Sequence, residues 1–230
     1  MREPEHERSG EDESVFAIKD CALAAIATGR GAQNLKELRD ELLTIDPASV
    51  YYHFWGGLLR PTFDDPRYNN DFARWVHSGL HNPALAERLS VIDPCEFGDL
   101  ESLRRETVEV IEEALDSMEV LPWTPRERQF HFIRSQIVVF STHQVVREPI
   151  ELADAIEAAS VSSIFYHFVD ARRRTPDGID DFRAWLADLD DGYPALRARL
   201  AGIDPFFQTL SELRAELVAA IRNTIEGGAS

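Results

Sequence analysis

Lysine, cysteine and methionine are scarce in this 230-residue chain, and long apolar runs are missing altogether. Only Lys19 and Lys36 are lysines, the other positive charges being arginine. Cys21 and Cys95 both lie in the first half and are too few for a disulfide framework, which fits a reducing cytoplasm. No stretch approaches the roughly 18 uninterrupted apolar residues of a membrane span, and Met1 to Glu13 lacks the apolar centre of a secretory signal. Positive charge is outnumbered, with 24 Lys and Arg against 41 Asp and Glu and a net charge of −17. Phosphate backbones and anionic lipid repel such a chain, so nucleic acid and membrane surfaces are excluded as partners. The usual catalytic signatures are missing too. No serine sits in a nucleophile elbow, and Gly56-Gly57 has neither the glycine spacing of a phosphate loop nor the Lys-Ser/Thr that follows it. No cofactor is expected.

What the chain does contain is a repeat of itself. The run Ser49-Val50-Tyr51-Tyr52-His53-Phe54 returns as Ser163-Ile164-Phe165-Tyr166-His167-Phe168. Asp71-Phe72-Ala73-Arg74-Trp75 returns as Asp181-Phe182-Arg183-Ala184-Trp185, and Ile92-Asp93-Pro94 as Ile203-Asp204-Pro205. Self-similarity over about 100 residues means a duplicated domain, because solenoid and propeller repeats run to roughly 20–50 residues. Each copy is then a control for the other: shared positions report the needs of the fold, and positions unique to one copy report what it does.

The expected division is a disordered acidic tail over 1–14, a first unit over 15–118, a linker over 119–125, a second unit over 126–226 and a disordered end over 227–230. Leu121-Pro122-Trp123-Thr124-Pro125 separates the copies, its prolines barring a continuous helix, and Trp123 suggests that the linker is packed down. Helical periodicity dominates each copy. Leu35, Leu38, Leu42 and Leu43 form a stripe opened by Asn34 as N-cap. Phe72, Trp75 and Val76 match Phe182, Trp185 and Leu186 on one buried face, each group preceded by an Asp that suits a helix N-terminus. Residues 16–28 are Ala-rich and favour helix, whereas their counterparts 130–142, with Ile137-Val138-Val139-Phe140, favour strand. Helix is the reading adopted, with one short strand per unit as the alternative. The expected fold is mainly α, two homologous helical units packed with approximate two-fold pseudo-symmetry.

The combination of Ser49 to Phe54, Asn70 to Trp75 and Leu85 to Leu89 resembles an uncharacterised prokaryotic domain family of unassigned activity. The second copy resembles it more weakly, through Ser163 to Phe168, Asp180 to Trp185 and Leu196 to Leu200. The resemblance brings no catalytic residue or cofactor with it.

Among candidate site residues, His53 and His167 recur beside aromatic side chains, and each reads as a proton shuttle or ligand or as a half-buried ring hydrogen-bonded for the sake of the fold. His77 and His81 have the spacing of two zinc ligands on one helix face, but Gly79 between them weakens the helix and the metalloprotease Glu is missing. The loop after the first aromatic cluster is longer in the first copy and carries Trp55, Arg60, Asp64, Asp65, Tyr68 and Asn70, a mix suited to lining a pocket. On this basis the site is expected in the first copy, with Arg60 among the residues not reproduced in the second, and Arg172 to Arg174 are read as a solvated basic face or partner contact.

The resulting expectation is a cytoplasmic binding or regulatory module for a small molecule or protein, monomeric or homodimeric. The alternative is a hydrolase or lyase using His53 with Asp64 or Asp65.

Overall fold

The computed structural model describes residues 15–60, 68–189 and 192–227. In chain order these form β1 (Phe16–Ala32), α1 (Leu35–Leu42), α2 (Pro47–Leu59), α3 (Asp71–Ser78), α4 (Pro83–Ser90) and α5 (Leu100–Asp116). Then come β2 (Phe130–Val146), α6 (Leu152–Ala158), α7 (Val161–Ile164), a π-helical segment (Phe165–Asp170), α8 (Ala171–Arg174), α9 (Asp181–Asp188), α10 (Pro194–Ala201) and α11 (Leu210–Gly227).

The two strands overturn the expected mainly α class: the protein is mixed α/β, and residues 16–28 and 130–142 are extended. Each strand runs for 17 residues, and the two pair as an antiparallel sheet. The physical reason lies in the pairing. Intrinsic helix propensity is a weak preference that tertiary context overrides, and β2, with Ile137, Val138 and Val139 suited to a strand, is the hydrogen-bonded neighbour of β1. Thr28 Oγ1 donates to Phe132 O, and Thr142 Oγ1 donates to Ile18 O at 2.5 Å. Alternation shows where the strand ends are covered: Phe16 and Ile18 are buried with Ala17 exposed between them, as are Phe130 and Phe132 around His131. Near the end of β1, a Cβ on Gly31 would stand 2.7 Å from the carbonyl oxygen of Phe130, a contact only glycine allows.

The described residues divide into two compact units, with boundaries inside β1 and β2. One unit takes in residues 21–139 and 204–210, and so holds α1 to α5, most of β1 and the first part of β2. Asn34, Asp46, Asn70, Asn82 and Asp99 cap α1 to α5, each side chain accepting a backbone N–H of its first turn, which satisfies donors a helix start leaves open. Its core is built from Leu35, Leu38, Leu42, Phe54, Phe72, Leu89, Leu103, Ile111 and Phe132, all almost fully buried. Leu43, placed on the α1 stripe by spacing, instead follows the last turn and is exposed. Thr124 N donates to Gln33 O and Gln33 Nε2 returns a bond to Thr124 O, which pins the backbone between the helical segments. The Trp123 side chain, expected to be packed down, is exposed.

The other unit holds the start of β1, the end of β2 and helices α6 to α11 apart from the first residue of α11. Phe16, Leu152, Ile156, Phe165, Phe168, Phe182, Leu213 and Leu217 make its core. Trp75 in the first unit and Trp185 in the second are both buried, as their helical spacing predicts.

Candidate functional site

In the unit built on α2 and α3, serine and histidine one helical turn apart face the same way, since positions four apart share a helix face. Both reach one residue of β2. Ser49 Oγ donates to the carbonyl oxygen of Ile133 at 2.8 Å, and the Ile133 N–H donates to His53 Nε2 at 3.1 Å. The Ser–His pair thus meets both backbone groups of Ile133, as a further strand would. Because Nε2 accepts, the proton of the ring lies on Nδ1, which donates to Asp71 Oδ2 at 2.9 Å. Asp71 opens α3 and also receives Arg60 at 3.0 and 2.9 Å and Arg74 at 2.8 Å. The Arg60 guanidinium lies over the Tyr52 ring, 4.9 Å from its centroid. Phe130 closes the site, its ring 4.7 Å from His53, 5.2 Å from Phe72 and 5.6 Å from Trp75.

The other unit carries the same constellation on Lys19 of β1. Ser163 Oγ donates to Lys19 O at 2.6 Å, Lys19 N donates to His167 Nε2 at 2.8 Å, and His167 Nδ1 bonds Asp181 Oδ2 at 2.8 Å. Arg174 Nη2 donates to Asp181 at 2.9 Å and the guanidinium lies 3.9 Å above the Tyr166 ring centroid. Phe16 takes the place of Phe130, at 5.0 Å from His167, 5.4 Å from Phe182 and 5.5 Å from Trp185.

Burial lowers the pKa of His53 and outweighs the pull of Asp71 in the other direction, so the ring is neutral at neutral pH. Burial alone would raise Asp71, but the His53 hydrogen bond and the Arg60 and Arg74 charges together hold its carboxyl below the usual carboxylate range. Asp181 is held low in the same way against its own burial, by His167 and Arg174. Tyr52 is raised by burial. Chemically, both nitrogens of His53 and of His167 are engaged, one with a carboxylate and one with a backbone N–H.

The residues singled out in sequence scatter around this constellation. Trp55 is buried edge-on against Phe206, their ring centroids 5.1 Å apart, within the same unit. Tyr68 is buried with its hydroxyl 3.0 Å from His77 Nδ1. Asn70 is the buried N-cap of α3 and also donates from Nδ2 to Leu89 O. Asp64 and Asp65 lie outside the described residues. His81 is exposed with a left-handed φ of 54°. Among the described residues, the side chains close enough together to hold a metal ion are Asp93, Cys95 and Asp204, a group containing neither His77 nor His81.

One expectation needs correction and another needs refinement. Arg60 is not unique to the first copy, because Arg174 repeats its ion pair and its stacking. The Arg172 to Arg174 run is exposed at Arg173 and Arg174, as a solvated face would be, but its charges are also used within the fold: Arg173 and Arg174 pair with the buried Asp170, and Arg172 lies over the Phe168 ring. Sequence reasoning passed over Ser49, Ser163, Asp71 and Asp181 as site residues, although all four recur. Asp71 and Asp181 do stand in the first turns of α3 and α9, as expected of acids at a helix start, and their side chains also reach the histidines.

Fold and site together define an α/β protein in which helical Ser–His pairs hold strand ends through a shared Asp-Arg-Tyr constellation. The chain belongs to a family of unknown function, DUF5752, whose model matches residues 13–222. It is similar to OrfY from Thermoproteus tenax, whose structure aligns at a TM-score of 0.81 with 29% identity, covering 93% of this chain and 97% of that one. No curated protein matches it. No helix among the described residues is long and apolar enough to cross a membrane.

Proposed function

We propose that this protein is an internally duplicated, cytoplasmic binding module for a protein partner, and that its histidines serve the fold. Duplication is supported by the recurrence of one constellation on Ser49, His53 and Asp71 and on Ser163, His167 and Asp181. Binding is favoured over hydrolysis or elimination because a histidine acting as general base needs a free ring nitrogen to take a proton. In both copies that nitrogen receives a backbone N–H.

The observation that carries the reading lies in the unit of residues 21–139. There Ala22, Ala24 and Ala25 of β1 and Val138 and Val139 of β2 are exposed, on strand segments with no charged residue from Cys21 to Gly29 or from Ser135 to Val139. Val138 is 50% and Val139 41% exposed. In a chain of net charge −17, an uncharged apolar strand surface is the kind a protein partner covers. The test compares the wild type with Val138→Asp in affinity purification from the native cytoplasm. The variant should melt with the wild type, being exposed, and should lose the partners the wild type retains. An unchanged set of partners would refute the reading.

A further inference from the structure

His53 can hold the start of β2 only in one protonation state. Its Nε2 must be bare to accept the Ile133 N–H, and its Nδ1 must carry the proton given to Asp71. A second proton would place two N–H groups face to face, and the strand's amide would lose its acceptor. The surroundings give that proton little welcome. From β2 the ring meets Phe130 and Phe132 at 4.7 and 5.9 Å and the Ile133 amide. From α3 come Phe72 at 5.3 Å and Asp71, and the edge of Tyr52 lies 5.2 Å away on α2. The charged groups are Asp71 and the two guanidiniums bound to it, Arg60 and Arg74. One carboxylate shared by two arginines leaves this cluster positive, so Asp71 is a weakened counter-ion for an imidazolium.

We propose that the Ser49–His53 bridge is an acid-sensitive latch: protonation of His53 releases the Phe130 to Ile133 end of β2 from α2. Released, the imidazole regains water and its ordinary affinity for a proton, so the open state binds one proton more than the latched state. The sign follows from that difference. The latch is at full strength above the ordinary imidazole pKa of about 6.5 and weakens as pH falls below it, because the latched ring is the poorer base. Its opening constant rises by up to about tenfold per pH unit over that interval, the slope of a single proton. Ser49 does not titrate in this range, so its bond to the Ile133 carbonyl resists opening without altering the slope.

The test is amide hydrogen exchange at Ile133 by NMR on the full chain from pH 7.5 to 5, corrected for the intrinsic exchange rate. Protection of Ile133 should fall with pH in the wild type and stay level in His53→Gln, whose side-chain amide accepts a hydrogen bond but does not titrate. Equal acid dependence in both proteins would overturn the latch. Should His53→Gln fail to fold, nitrogen-15 shifts of the His53 ring in the wild type decide the matter over the same range. The ring should be the Nδ1–H tautomer at pH 7.5 and should take its proton as Ile133 loses protection. A protonated His53 with the Ile133 amide still protected would end the proposal.

Discussion

Ser49 contributes one hydroxyl to the strand contact, and its removal leaves the Ile133 carbonyl without that donor. Ser49→Ala should lower stability by about 1–2 kcal/mol in urea denaturation. Asp71 does more, since it receives His53, Arg60 and Arg74 together while largely buried. Asp71→Asn should cost about 2–3 kcal/mol, the scale of hydrogen bonds to a charged group. The loss should itself depend on pH. Because the Asp71 carboxyl is held below its ordinary 3.8, its contribution is complete above that value and disappears as pH falls through the depressed one. Denaturation curves of wild type and variant should therefore converge in acid. The histidines were legible as recurrent residues, but their acceptors were not: Ile133 and Lys19 take part through their backbones, and a backbone contact leaves no mark on residue type. Arg60 and Arg174 could have been matched in sequence, had the longer first loop not drawn attention to Arg60 as part of an insertion.

At the scale of the element, the strands are where local preference and tertiary context part company. Helix boundaries followed capping chemistry that sequence displays openly, as at Asn34 and Asn70. The strand in Cys21 to Ala27 was hidden because Ala, Leu and Ile there fit a helix as well as a sheet, and the deciding partner lies more than a hundred residues away in sequence. Gly31 is the local sign that was missed. An added methyl group at that position meets the Phe130 carbonyl at 2.7 Å, so Gly31→Ala should cost about 1–3 kcal/mol by overpacking. Gly98, with nothing within 4 Å of an added Cβ and no positive φ, serves as control. Thermal melts should separate the two variants clearly.

At the scale of the whole molecule, each strand passes without a break from one compact unit into the other. Trp75→Ala and Trp185→Ala should each cost about 3–5 kcal/mol, as for removal of a large buried aromatic. Circular dichroism and fluorescence melts of each variant check the loss, and a curve that overlays the wild type would contradict it. The same continuity has a consequence for dissecting the protein. A cut at Leu121 to Pro125, the natural place to divide the sequence, would leave α2 without Ile133 and α7 without Lys19. Each fragment would carry an empty socket and a plug that fits the other. Expressed apart, the halves should be poorly ordered; mixed, they should restore one another, as the two pieces of a split reporter do.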